Sequence, residues 1–381
     1  MSWQESPLGA VADTQLGKML DAKKNVGEYR LYLGNDNVQW DGIDLSEVKE
    51  MRFKDSELPK FALKTGDLLV CEGGDPGRCA IWNSEEEMYY QKALHRVRVH
   101  EDVLDNRYLY YFLVHIGSTQ EIRQYYTGGA TIKHLPAAAL NRVKVRYPDL
   151  VTQQRIADVL SAYDELIENN RRQIRLLEEA AQRLYKEWFV DLKFPGHETT
   201  PIHDGLPEGW KNGKLGDIVE FRRGKTITKA ETEPGDVPVV AGGLGPAYYH
   251  VVSNTTCPVI TVSGSGANAG FTRLYTKQIW ASDCSYADSS MSSHLLFAFV
   301  SIKTLANEFK QCQRGSAQPH VYPKHVNALD VLVPSDELLN EYEARVKPLF
   351  ELEAKCEVRA DVAREARDRL LPKLMSGEIE V

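Results

Sequence analysis

From Thr152 to Phe189 apolar residues recur at alternating spacings of four and three. With Ile156 taken as position a, one series is Ile156, Tyr163, Asn170, Leu177 and Leu184, and the other is Leu160, Ile167, Ile174, Ala181 and Trp188. Five heptads without a proline or glycine predict a coiled-coil helix, and the polar Asn170 in the seam is the kind of residue that fixes register. At 1.5 Å per residue such a helix reaches roughly 55 Å, far more than one domain core needs. A second helix is expected from Ser335 to Ser376, ended by Gly377, with a weaker stripe of Tyr342, Val346, Leu349, Leu352, Cys356, Ala363, Leu370 and Leu374. Glu353 and Arg367 fall where the first helix has Ile167 and Ala181, and Pro348 should add a bend. The two helices are expected to pair antiparallel and to hold the rest of the chain in two parts a fixed distance apart.

Before each helix the pattern shortens. Lys64–Cys71 and Leu94–Val99 predict strands, and Arg107–Val114, aromatic on more than one face, predicts a buried helix. Asn141–Tyr147 alternates apolar and basic residues, as a half-buried strand does. The expected class is α+β, with two α/β units separated by the helices. The expected segments are a unit over 1–150, a helix over 151–191, a linker over 192–205 rich in proline and glycine, a second unit over 206–335 and a second helix over 336–377.

The chain also repeats itself. Trp3, Leu8, Gly9, Gly17 and Lys18 recur at a constant offset of 207 as Trp210, Leu215, Gly216, Gly224 and Lys225. Gly129, His134, Asn141, Val145 and Pro148 recur at a constant offset of 186 as Gly315, His320, Asn327, Val331 and Pro334. The second offset continues through Glu165–Leu166/Glu351–Leu352, Glu179–Ala180/Glu365–Ala366 and Arg183–Leu184/Arg369–Leu370. The middle of the second copy is therefore shorter by the difference of the offsets, 207 − 186 = 21. Shared ends around a variable middle imply one frame carrying two different surfaces.

Composition narrows the function classes. The 381 residues contain 43% apolar positions, enough for two or three packed domains, and no run approaches a membrane span. Six cysteines without a CxxC pair indicate neither zinc nor a disulfide framework, and a cytoplasmic protein is expected. Net charge is −8, opposite in sign to the usual footprint of a nucleic-acid binder.

Catalytic motifs fail when tested. Gly224–Lys225–Thr226 resembles the end of a phosphate loop, but Val219 stands where its first glycine belongs. Gly264–Gly270 is one residue too long for a dinucleotide fingerprint, and no Asn-Pro-Pro-aromatic string for amino-group methylation occurs. His320 and His325 read as loop and core rather than metal ligands. Two pairs of candidate contact sites remain. The glycine-rich turns Glu72–Arg78 and Ser263–Gly270 offer Gly73, Gly74, Arg78, Ser265 and Asn268, either as tight hairpins or as turns that approach a phosphate backbone. The loops Thr127–His134 and Gln313–His320 offer Thr131, Lys133, His134, Gln318 and His320 as donors to base edges or phosphates. Arg222, Arg223, Lys225 and Lys229 add local cations in the second unit, as Arg96, Arg98, Arg142, Lys144 and Arg146 do in the first.

The strings Gly66–Trp82, Thr127–Leu140, Gln153–Phe189, Trp280–Tyr286 and Arg369–Ile379 resemble the specificity subunit of type I restriction–modification systems, over essentially the whole chain. That resemblance implies two target-recognition domains, each reading half of a bipartite asymmetric site in double-stranded DNA. It implies helices that set the unread gap, two docked methyltransferase subunits that methylate adenine N6 with S-adenosylmethionine, and endonuclease subunits that use ATP and Mg. The chain itself would then be non-catalytic, without cofactor or metal, and its phosphate neutralisation would come largely from the assembled complex. The alternatives from the residues alone are a coiled-coil scaffold carrying two β-rich binding modules, and a self-sufficient methyltransferase, which the missing motifs disfavour.

Overall fold

The structure, a computed structural model, describes residues 3–21, 25–128, 133–305 and 320–381. It divides into two compact units, one of Met1–Asn169 with Arg359–Val381 and one of Asn170–Val358. The long helices run from Leu150 to Phe189 and from Asp336 to Ser376, so each unit holds the start of one and the end of the other. The helices are thus not separate segments beside the two units but part of each unit's core. In the first unit Ile156, Ala157 and Leu160 share a core with Leu371, Leu374 and Met375. In the second, Ala181, Tyr185, Trp188 and Phe189 share one with Leu338, Tyr342, Val346 and Phe350. There Gln173 meets Cys356 while Ala181 meets Tyr342, so the helix segments run antiparallel.

Each residue of the expected seam is buried or half-buried within its own unit, Leu352 excepted. Ile156, Leu160, Ile167, Asn170, Tyr342, Val346 and Cys356 are buried, and Tyr163, Ile174, Leu177, Leu184, Leu349 and Leu370 are half-buried. Three readings are corrected. A heptad passes from a to d in three residues, so the four-residue step from Ile156 to Leu160 makes Ile156, and with it Asn170, a d position. Leu352 is 41% exposed, because the buried line passes through Phe350 and Glu353 on either side of it. Leu371 rather than Leu370 is fully packed. The helix continues through Pro348, whose ring is exposed.

The sequence repeat is a repeat of hydrogen bonds. Gln4–Pro7 pairs antiparallel with Lys144–Tyr147, starting Gln4 against Tyr147. Lys211–Lys214 pairs with Asp330–Val333, starting Lys211 against Val333, and these are the same positions since 4 + 207 = 211 and 147 + 186 = 333. Leu8 N–H donates to the Val143 carbonyl as Leu215 N–H does to that of Leu329. Asn141 accepts from Thr14 through Oδ1, and Asn327 accepts from the Phe221 N–H. In Asn141–Tyr147 the strand proper is Lys144–Tyr147, with Lys144 and Arg146 outward as expected.

Each unit then builds a four-stranded antiparallel sheet in one order. In the first the order is Ala12–Leu16, Leu94–Val99, Leu68–Cys71, Cys79–Ile81. In the second it is Arg222–Arg223, Cys284–Asp288, Val259–Ser263, Thr272–Tyr275. Lys64–Asp67 is not strand, because Asp67 caps it as a turn by accepting from the Lys64 N–H. A small three-stranded sheet recurs too, with one antiparallel and one parallel pairing in each unit. The expected buried helix is Asn106–Ser118, capped by Asp105, and its counterpart in the second unit is Leu295–Thr304. The linker ends in a short hairpin, Ile202–His203 with Leu206–Pro207, and is anchored by the Phe194 ring packed at a tilt against Trp210, centroids 4.9 Å apart.

Equivalent strands locate the shortfall of the second copy. Lys18 to Val70 spans 52 positions and Lys225 to Val262 spans 37, so 52 − 37 = 15 of them are lost before the central strand. The repeated Gly-Lys step has a steric origin. A Cβ on Gly17 would be driven into the Gln91 carbonyl, and one on Gly224 into those of Ser282 and Ala281. Backbone cannot yield as a side-chain tip can, so Gly17→Ala and Gly224→Ala are each expected to cost about 3 kcal/mol, at the upper end of ordinary overpacking. Denaturant melts would check this, and unchanged midpoints would refute it.

Candidate nucleic-acid interface

Both glycine-rich segments are hairpin turns at the same place in the two sheets. Glu72–Arg78 joins Leu68–Cys71 to Cys79–Ile81, and 264–271 joins Val259–Ser263 to Thr272–Tyr275. The second pair of motifs lies against them. Leu135 N–H donates to the Glu72 carbonyl at 2.7 Å, and Val321 N–H, its counterpart in the repeat, donates to that of Gly264 at 2.9 Å. In each unit a histidine therefore sits on a hairpin turn, brought there from a distant part of the chain.

In the first unit His134 Nδ1 lies 3.2 Å from Glu72, and a Cβ on Gly73 would press on the imidazole. Gly74 has φ +81°, so a side chain there would be strained. Lys133 is exposed beside it. Arg78 turns inward, donating to the Asn35 carbonyl at 2.9 Å with Asp75 3.9 Å away. Thr131 lies outside the described residues, as do Gly129 and Gly315.

In the second unit Ser265 bridges to His320, which stacks on Tyr322 at 5.6 Å. Arg223 faces the same place, paired with Asp283 at 3.0 Å. Asn268 closes the turn, its carbonyl accepting from Phe271 N–H. Arg222 pairs instead with Glu220 at 3.1 Å, and Lys225 lies over the Trp280 ring at 5.8 Å, so both are engaged away from this cluster. Gln318 lies outside the described residues.

The first unit's other cations are partly structural. Arg98 is held bidentate by the buried Asp67 at 2.7 Å, Lys144 pairs with Glu5, and Arg146 lies over Trp3. Lys18, the counterpart of Lys225, is buried and paired with Glu57, a partner too far along the chain for local pattern to reveal. His325 caps its own short helix, accepting from the Tyr322 N–H at 3.2 Å. Among the described residues no His, Cys, Asp and Glu group has metal-ligand geometry, and no helix is long and apolar enough to cross a membrane. Sequence reading missed Asp283, Ser285 and Tyr322; the first two lie in the Trp280–Tyr286 string, whose role was not resolved residue by residue.

Comparison with known proteins agrees with this geometry. The model of the type I restriction modification DNA specificity domain matches residues 1–179 and 207–346. The type I restriction enzyme MjaIX specificity subunit of Methanocaldococcus jannaschii is 28% identical over 306 residues, 74% of this chain and 71% of that protein. The HindI specificity subunit of Haemophilus influenzae is 19% identical over 88% of this chain and 90% of its own length. The crystal structure of a type I restriction–modification S subunit from M. genitalium has the same fold, with a TM-score of 0.62 and 20% identity over 98% of this chain and 96% of that one. With the domain matched twice, once on each copy of the repeated frame, the chain belongs to the family of type I restriction–modification specificity subunits, which supply DNA recognition and not catalysis.

Proposed function

We propose that each unit reads one half of a bipartite, asymmetric DNA site through its hairpin turn and histidine loop. The observation that carries this is the repeated frame: the same hydrogen bonds in both units present turns of different sequence. A shared frame with unlike turns suits a duplex whose backbone repeats while its bases differ. The long helices set the gap between the half-sites and dock two methyltransferase subunits. Identity at exposed positions supports that docking, since packing does not constrain them. Glu165, Leu166, Glu179, Ala180 and Arg183 are exposed on the first helix, and Glu351, Leu352, Glu365 and Arg369 on the second at the matching positions. The ion pairs Glu179–Arg183 and Glu365–Arg369 also match. Two equal surfaces fit two copies of one partner.

In this reading the chain binds no cofactor. S-adenosylmethionine serves the methyltransferase subunits for adenine N6 methylation, and ATP and Mg serve endonuclease subunits that join the complex. The net charge of −8 then makes the lone chain a weak DNA binder whose affinity rises on assembly. The test is a methylome. The chain is co-expressed with the methyltransferase subunit of its own system in a methylation-free host. A split asymmetric motif that vanishes when this chain is omitted is expected, and absence of new methylation with the partner bound refutes the proposal. Leu166→Asp combined with Leu352→Asp should lower methylation at every site and leave the motif unchanged.

A further inference from the structure

Strand register makes the two recognition surfaces comparable residue by residue, and at three adjoining positions they differ in kind. Leu16 pairs across the sheet with His95, and Arg223, the counterpart of Leu16 at the offset of 207, pairs with Ser285. The neighbouring strand agrees, since His95 pairs with Val70 and Ser285 with Val262. Gly17 N–H donates to the Leu94 carbonyl as Gly224 N–H does to that of Cys284, which sets Ala93 against Asp283. Leu16, Ala93 and His95 of the first unit thus become Arg223, Asp283 and Ser285 in the second.

The exchange opens a hole. In the first unit the fully buried His95 ring fills the position and donates through Nε2 to the Leu135 carbonyl at 2.8 Å. In the second the smaller Ser285 leaves a recess of about 110 Å³, walled by Arg223, Ser265, Asp283, Ser285, His320 and Tyr322. Ser285 is 1% exposed, and its hydroxyl has no hydrogen-bond partner among the described residues. A buried hydroxyl left unpaired is costly unless something supplies the partner. The recess opens beside the turn and the histidine that the proposed function assigns to DNA.

We propose that this recess is a base-reading site of the second unit, at which Arg223 reads a guanine. The inference rests on the DNA-recognition role proposed above. A guanidinium fork matches guanine O6 and N7 in the major groove, and a carboxylate accepts from the N4 amino group of the paired cytosine. Asp283 holds the fork at the mouth, and because the pair is solvent-exposed it is weak enough to re-aim. The first unit has Leu16 in that place and reads no guanine there.

The methylome is repeated with Arg223→Ala, Arg223→Lys and, as control, Arg222→Ala, all in the full complex. Arg223→Ala is expected to lose roughly tenfold to a hundredfold discrimination at one guanine position of one half-site, and Arg223→Lys less, since an ammonium also reaches guanine O6 and N7. The other half-site and the gap stay unchanged, and Arg222→Ala leaves every position intact. Uniformly weaker methylation with an unaltered motif makes Arg223 a phosphate contact and overturns the inference. A wild-type motif with no guanine affected does the same. Absence of any wild-type motif instead overturns the recognition role itself.

Discussion

Replacing Glu353 by leucine is expected to stabilise the protein, and more so as pH rises from about 4.5 to 8. Glu353 lies in the apolar seam of the C-terminal helix, within the second unit. Burial pushes its carboxyl up to about 8 from an ordinary 4.5, and the neighbouring Glu178 and Glu357 push the same way. The nearby cations, Lys303 and Arg273, offset this only in part, being paired with Glu178 at 3.1 Å and Glu357 at 3.3 Å. One Glu353 oxygen has no hydrogen-bond partner among the described residues.

The folded state therefore holds a proton that the unfolded chain releases near pH 4.5. The contribution of Glu353 is fully present below that pH, falls as pH climbs, and is lost once pH passes about 8. A difference of 8 − 4.5 = 3.5 pH units corresponds to a change on the order of 5 kcal/mol. Leucine has nothing to ionise and fills a similar volume, and apolar replacement of buried ionisable groups is often stabilising. Melting curves of the wild type and Glu353→Leu at pH 5, 7 and 9 should diverge with pH. Parallel curves would show that the carboxyl stays solvated. Glu343, pushed up to about 7 by burial, titrates in both proteins and so leaves the difference untouched.

Tyr342→Ala should be as damaging as Glu353→Leu is helpful. The Tyr342 side chain is fully buried, with ring centroids of Phe189, Trp188, Phe297 and Tyr185 at 5.1, 5.8, 6.1 and 6.4 Å. Its hydroxyl donates to the Ala181 carbonyl at 3.2 Å, so one side chain joins the end of the first long helix, the start of the second and the helix Leu295–Thr304. Truncation to alanine removes these contacts and leaves a cavity, at about 3–5 kcal/mol. Tyr342→Phe keeps the ring and loses only the hydrogen bond, about 1 kcal/mol. Urea denaturation distinguishes the two, and an alanine variant within about 1 kcal/mol of the wild type would mean that the cluster repacks around the gap.

Both effects mark where local pattern stops being informative. The stripe of the second helix was visible in the sequence, and so was the intrusion of Glu353 and Arg367 into it. Their fates differ for a reason outside the stripe. Arg367 meets Asp164 of the first helix, whereas Glu353 meets two further carboxylates and cations already engaged. Leu352 looked like part of the seam because spacing alone does not say which of two nearby apolar residues faces inward. Phe350, absent from the expected stripe, is the residue that packs.

By itself the sequence determined the two long helices, the α+β class, the repeated frame, and the glycine turns and histidine loops as two separate sets of candidates. Helical spacing and constant offsets are properties of neighbours along the chain or of direct copying, and need no three-dimensional information. The tertiary structure alone decided that Lys18 and Arg98 are buried or bound to Glu57 and Asp67 rather than offered to a ligand. It decided that His134 and His320 rest on the turns, and that Ser285 leaves open what His95 fills. Each of these depends on which residues strand register sets opposite one another. A shift of one residue would exchange every partner, and which distant strands come to lie opposite one another is settled only when the chain folds.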